Sequence, residues 1–252
     1  PERPDGATGT SIMILDFETD DESLRTTGHR IVETLLWNFW PRMMRDVDES
    51  RRIDCTVEVD GEKLYVPKPE EFPPFDLFCK AMRAARSRDG NDVRAIKSKR
   101  PAKELGTLSL ERGLRSPRHH LVASDSLIPP LIRHIALMRP VELVVKYLEG
   151  SPLADDRLEW AGVFLTSEED EIERAFADSE PPAHDDWVPD NLARGYSKTY
   201  VNVAMKRLRS IAAEAGVEES AVSSNTSYVP PLASVAGRLG MTLESVGGDG
   251  AG

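Results

Sequence analysis

His184, Asp185 and Asp186 stand side by side in the run from Ser179 to Trp187. An imidazole next to carboxylates can hold a metal ion or relay a proton. With Glu180 added, the group is a candidate centre for a metal-dependent hydrolase. Phosphohydrolases built on a His-Asp pair need further His and Asp ligands presented on helices. Here Pro181, Pro182 and Pro189 put the pair in a loop or at a helix start. His119 and His120 are the candidate partners, and nothing in the spacing brings them near. The competing reading is a loop anchored by Trp187, with Asp185 or Asp186 capping the next turn. That reading is favoured.

A second group is basic: Arg86, Arg88, Arg94, Lys97, Lys99, Arg100 and Lys103 make the densest positive stretch of the chain. Lys97 or Lys99 could meet a phosphate as a point charge. A solvated loop in an acidic protein explains the same residues. Arg139, between two apolar runs and before Pro140, is either a phosphate or carboxylate clamp or an Arg-Pro turn. Asn38, among Trp37, Phe39 and Trp40, is a buried polar pin or an ordinary exposed helix residue. Glycine-rich phosphate loops, a Gly-x-Ser-x-Gly elbow and a His-Glu-x-x-His pair are all missing. No motif of a self-sufficient active site is therefore legible.

The elements that must position these residues follow from periodicity. Ser11 to Phe17 is a short apolar run, expected to be a buried strand entered through Gly9-Thr10. Residues 28–45 form the strongest helix, with Ile31, Leu35 and Phe39 on one face and Val32, Leu36 and Trp40 beside them. Pro41 is expected to end or kink it near Trp40. Ile53, Cys55, Val57 and Val59 alternate with polar residues. Asp60-Gly61 then turns the chain toward Leu64 and Val66, a hairpin signal. An extended proline-rich segment covers 67–74 and a helix 75–87. Strands are expected at Leu105–Leu110, Ile132–Met138, Val141–Leu148 and Trp160–Leu165. Ser167 to Asp170 is expected to cap a helix. Residues 179–190 form a loop, and a helix over about 197–215 ends at Gly216. Strands cluster with helices on either side in sequence. This order predicts an α+β fold with a mixed β-sheet backed by helices.

Composition sets the limits. The chain has 252 residues, 40% of them hydrophobic and 30% charged, with a net charge of −11. That length suffices to bury about 70% of the unfolded surface without staples. The negative charge speaks against a wide footprint on nucleic acid or on an anionic membrane, though a local basic patch is compatible with it. The two cysteines, Cys55 and Cys79, lie in no CxxC pair and read as small hydrophobes in a reducing compartment, the cytoplasm. No apolar run approaches the roughly 18 residues of a membrane span.

Gly9-Thr10-Ser11-Ile12-Met13-Ile14 resembles the closing strand of a GHKL (Bergerat-fold) ATPase domain. Val32 to Trp40, the hairpin from Cys55 to Val66, Ala161 to Phe164 and Glu180 to Trp187 are similar to the segment that follows that strand in bacterial relatives of gyrase and MutL. The resemblance spans about residues 8–215. It implies a terminal ATPase strand over 1–20 and a transducer-like, ribosomal-protein-S5-like domain over 21–215; the Ser-, Gly- and Ala-rich stretch over 216–252 is expected to be a flexible or truncated segment. It further implies an ATPase core encoded before Pro1, with its magnesium-binding Asn, catalytic Glu and most of the nucleotide lid. ATP and Mg2+ would be held there. Gly9 and Thr10 would lie next to the nucleotide, and Lys97 or Lys99 is the candidate to reach the γ-phosphate from the transducer. The implied activity is conformational coupling to ATP in a DNA-transacting or defence system, with catalysis lying outside this chain. The upstream ATPase domain is the expected partner, and a homodimer or another protein partner stays open. A non-catalytic interaction module anchored by Trp37, Trp40, Trp160 and Trp187 is the rival reading.

Overall fold

The computed structural model describes residues 14, 15, 19, 22–118, 121–122 and 125–216. Gly9, Thr10, His119, His120, most of the expected first strand and the tail after Gly216 lie outside the described residues. Within that strand, Ile14 and Leu15 are exposed and carry no strand pairing. The described residues divide into two compact units, one drawn from residues up to 76 and from 117–130, the other from 77–116 and 131–216.

The first unit is built on α1, Leu24–Met43. Ser23 caps it: its Oγ accepts a hydrogen bond from the Thr26 N–H at 3.1 Å. The buried row is Gly28, Val32, Leu36 and Trp40, an i, i+4 ladder, while Ile31 lies 44% exposed. The core face is thus rotated by one position from the Ile31–Leu35–Phe39 row. The reason is Gly28. A Cβ there would sit 2.6 Å from Leu64 Cδ1 and 2.6 Å from Val59 Cγ2, so this face alone can seat against the hairpin. Pro41 falls in the last turn, where it gives up the helical bond its N–H would make four residues back, yet the helix runs on to Met43.

That hairpin comprises β1, Val57–Val59, and β2, Glu62–Leu64, with Val57 opposite Leu64. Asp60 and Gly61 both take positive φ, 52° and 82°, the backbone of a type I′ turn. Ile53 and Cys55 precede the paired region. Glu33 is buried on α1. It accepts the Ser126 hydroxyl at 2.5 Å and the Leu127 N–H at 3.0 Å, which ties down residues 126–127.

The second unit holds a five-stranded mixed sheet in the order β3-β4-β7-β5-β6. The strands are β3 (Val93–Lys99), β4 (Ala102–Leu114), β5 (Arg133–Met138), β6 (Val144–Glu149) and β7 (Leu158–Thr166). All neighbours are antiparallel except β5 and β7, which run parallel. Strand alternation sends Ile135, Leu137, Trp160 and Phe164 to one face. There they meet α3 (Asp170–Ser179) and α4 (Tyr196–Glu214) through Ile172, Phe176, Val201, Met205 and Leu208. The opposite face takes α2 (Phe75–Ser87): Phe78 meets the Tyr147 ring edge-on at 5.5 Å, and a Cβ on Gly113 would touch Leu77. Both faces are covered, so β7 is buried along nearly its whole length. The expected α+β class with a mixed, helix-backed sheet is what the chain forms.

Local differences have local causes. β6 starts at Val144 because Glu142 adopts φ 60° in a turn closed by its N–H on Arg139 O. α3 starts at Asp170, with Glu169 at the cap; Ser167 Oγ instead accepts from Glu169 N–H one turn earlier. α4 ends with Ala215 as its cap, one residue before Gly216.

His134 on β5 is 9% exposed, edge-on to Tyr147, and its Nδ1 accepts the Arg133 N–H at 3.2 Å. Burial pushes its imidazole below the ordinary value; Glu149 opposes that shift and Arg133 adds to it. A depressed histidine pKa makes the unfolded chain bind the extra proton. Stability should therefore be full above about pH 6.5 and fall as pH drops below it. Urea midpoints between about pH 8 and pH 5 should show this limb in the wild type and a flatter one in His134→Gln. Identical profiles would refute the assignment.

Candidate functional site

The loop after α3 gathers most of the residues singled out in the sequence. Glu180, at the helix end, has a side chain only 2% exposed. Its Oε1 accepts from Arg139 Nε at 2.7 Å and from the buried indole of Trp187, Nε1, at 3.2 Å. Its Oε2 lies 2.7 Å from His184 Nδ1 and 3.4 Å from Arg139 Nη2. Four donors thus occupy the roughly four acceptor positions of one carboxylate. Arg139 Nη1 also reaches Glu173 Oε1 at 2.5 Å. Burial opposes charge on the guanidinium, but Glu180 and Glu173 outweigh it and hold its pKa above the usual arginine value.

Trp187 is 2% exposed and stacks edge-on against Phe176, 4.6 Å between ring centres, and against Phe164 at 6.1 Å. Asp186 accepts the Trp187 N–H at 2.8 Å through Oδ1 and pairs with Lys146 through Oδ2. Asp185 and His184 are exposed. Among the described residues, no three His, Cys, Asp or Glu side chains converge to hold a metal ion. What this arrangement can do is hold a loop. It clamps residues 180–187 onto the sheet through Arg139 and Trp187, matching the Trp187-anchored reading of that segment. Arg139 is both a clamp and a turn residue: its guanidinium grips carboxylates of its own chain, and its carbonyl closes the turn to Glu142.

From Arg94 to Lys103 the basic run is a β-hairpin, not a loop, while Arg86 lies on α2 and Arg88 just after it. Lys97 and Lys99 sit on β3 and point to solvent, and the chain turns at Arg100-Pro101 into β4. Much of the positive charge is matched by carboxylates. Arg86 forks onto Glu142 with Nε and Nη2 both at 3.0 Å, Arg88 reaches Glu104 at 2.9 Å and Arg94 reaches Asp92 at 2.7 Å. Lys103 pairs with Glu169 and, at 3.2 Å, with Glu171; the two raise its ammonium pKa. Lys97 is only loosely paired, 4.0 Å from Glu104, and Lys99 and Arg100 stand exposed at the tip. Their placement on an edge strand also fits protection of that edge from further pairing.

Other residues fall into the core. Trp40, Trp160 and Trp187 are buried and cannot serve as surface anchors, while Trp37 packs its ring against Phe75. Asn38 donates to its own helix, at Thr34 O, 2.9 Å away. Cys79 is buried and Cys55 half-buried, and neither is in a disulfide. No described helix is long and apolar enough to cross a membrane. Sequence reading passed over Arg52 and Lys68, which the fold brings to one cavity, because neither belongs to a local motif. The chain matches no protein-family model, no curated protein and no solved structure.

Proposed function

We propose that the chain is the transducer-side part of a GHKL-like ATPase, with the edge hairpin β3–β4 as the element that senses nucleotide. The observation that carries this reading is Lys97 and Lys99, solvent-facing on a strand of a sheet packed on both faces. A γ-phosphate is a concentrated negative charge that hydrolysis removes. A lysine on a rigid second element binds the triphosphate state preferentially and so couples chemistry to domain position. In this proposal ATP and Mg2+ are held by a nucleotide-binding domain of the same protein, with Gly9 and Thr10 beside the nucleotide. The mixed sheet backed by helices supports the reading at the level of fold.

The test has two arms. The chain by itself is expected to turn over no ATP. In the protein carrying both parts, Lys97→Ala with Lys99→Ala should lower the preference for ATP over ADP by about tenfold, the size of one lost charge-assisted contact. Nucleotide titration read by fluorescence anisotropy checks this. An unchanged preference, or turnover by the chain alone, would sink the proposal.

A further inference from the structure

The first unit contains a cavity that none of the preceding chemistry uses. It holds about 380 Å³ between the end of α1 and the strands' flanking segments, within the size range of small-ligand sites. Its lining includes the apolar Met43, Ile53, Val66 and Pro67. The lining also carries Arg45, Arg52 and Lys68, three cations against the single carboxylate of Asp54.

The cations are not equally committed. Arg45 is already engaged: Nη2 pairs with Glu71 and its backbone N–H bonds to Glu70 Oε1 at 2.7 Å. Arg52 differs. Its side chain is 28% exposed, and its nearest carboxylates are Asp54 at 3.4 Å and Glu49 at 4.0 Å. Both distances exceed a charge-assisted hydrogen bond, about 2.7–2.9 Å. A half-buried guanidinium with five N–H donors and only long contacts has capacity for an anion. Lys68 adds an exposed ammonium at the rim. The last-turn carbonyl of Arg42, which would otherwise repel an anion, is capped by the Ile53 N–H at 2.8 Å.

We infer that this cavity binds a small organic anion, a compact carboxylate or phosphate head on a short apolar body. Arg52 and Lys68 hold the head, and Met43, Ile53, Val66 and Pro67 take the body. The inference is independent of the ATPase reading, because it uses no residue of the second unit. Cys55 supplies a built-in reporter. It lines the same cavity, burial followed by the Asp54 charge raises its thiol pKa, and the other cysteine, Cys79, is fully buried.

The experiment titrates the whole chain with hexanoate, hexyl phosphate, hexanol and inorganic phosphate. It follows heat of binding and protection of Cys55 from N-ethylmaleimide at mildly alkaline pH. The expected result is binding and protection by at least one of the two amphiphilic anions. Whichever binds more tightly identifies the head group. Hexanol and inorganic phosphate should bind at least about tenfold more weakly, since each lacks half of the contact set. The double variant Arg52→Gln, Lys68→Gln should lose affinity by about tenfold or more while keeping its urea midpoint. Equal binding of hexanol, unprotected Cys55 in the wild type with both anions, or unchanged affinity in the folded variant would each overturn the inference.

Discussion

Glu180→Gln is expected to destabilise the second unit by about 3 kcal/mol, the lower end for breaking one partner of a buried ion pair. The carboxylate is 2% exposed, whereas Arg139 retains 22% exposure, which moderates the loss through solvent screening. The geometry allows no graceful substitute. Four donors converge on two oxygens, and an amide replaces one oxygen with a donor. Arg139, Trp187 or His184 must then face an N–H group. Urea unfolding followed by tryptophan fluorescence measures the effect, and Trp187 reports from inside the clamp. His184→Ala is the control: that ring is 71% exposed, so its removal should change stability by less than about 0.5 kcal/mol. A Glu180→Gln protein within about 1 kcal/mol of wild type would show that the clamp is ornamental.

Gly106→Ala should cost about as much, for a different reason. Gly106 sits at the β3–β4 irregularity, where the register slips between Ile96 and Lys97. Its φ of 156° is strained for any residue with a side chain, and a Cβ would lie 2.4 Å from Leu165 O and 2.8 Å from the Phe164 ring. Strain of about 1–3 kcal/mol and overpacking of similar size add to roughly 3 kcal/mol. Gly61→Ala separates the two contributions, because φ there is 82° but nothing lies within 4 Å of the new Cβ. It should cost about 1 kcal/mol. Thermal melts of the two variants give the comparison. Equal losses would mean that the contact with Leu165 relaxes freely.

Element type was legible wherever one force dominated. The Asp60-Gly61 turn is dictated by backbone sterics, and the structure places both residues at positive φ. The helix over 75–87 begins and ends at Phe75 and Ser87, since Pro73-Pro74 blocks extension on one side and Asp89-Gly90 on the other. Facing was harder. On α1 two adjacent apolar rows compete, and only the approach of Val59 and Leu64 to Gly28 decides between them. That contact is tertiary and has no local signature.

The site residues show the same division. Composition marked His184, Asp185, Asp186 and Arg139 as notable but could not say that Glu180, four residues before His184, is the hub of the group. A glutamate after a helix looks like surface, and its burial depends on Arg139, 41 positions away. The basic run misled in another way. Its charges are close in sequence, yet the fold sends Arg88, Arg94 and Lys103 to separate carboxylates, so Lys99, Arg100 and the loosely paired Lys97 stay exposed. Arg52 and Lys68 were silent for want of any motif.

Among the described strands, β7 is the third across the sheet but the last to be synthesised. Until residue 166 leaves the ribosome, β3–β4 and β5–β6 can exist only as two separate ribbons, each with a bare inner rim at β4 or β5. At about 5–20 residues per second, that interval lasts for seconds. The insertion of one strand then closes both rims together. The nascent protein is therefore most vulnerable to sticking to its neighbours just before this keystone arrives.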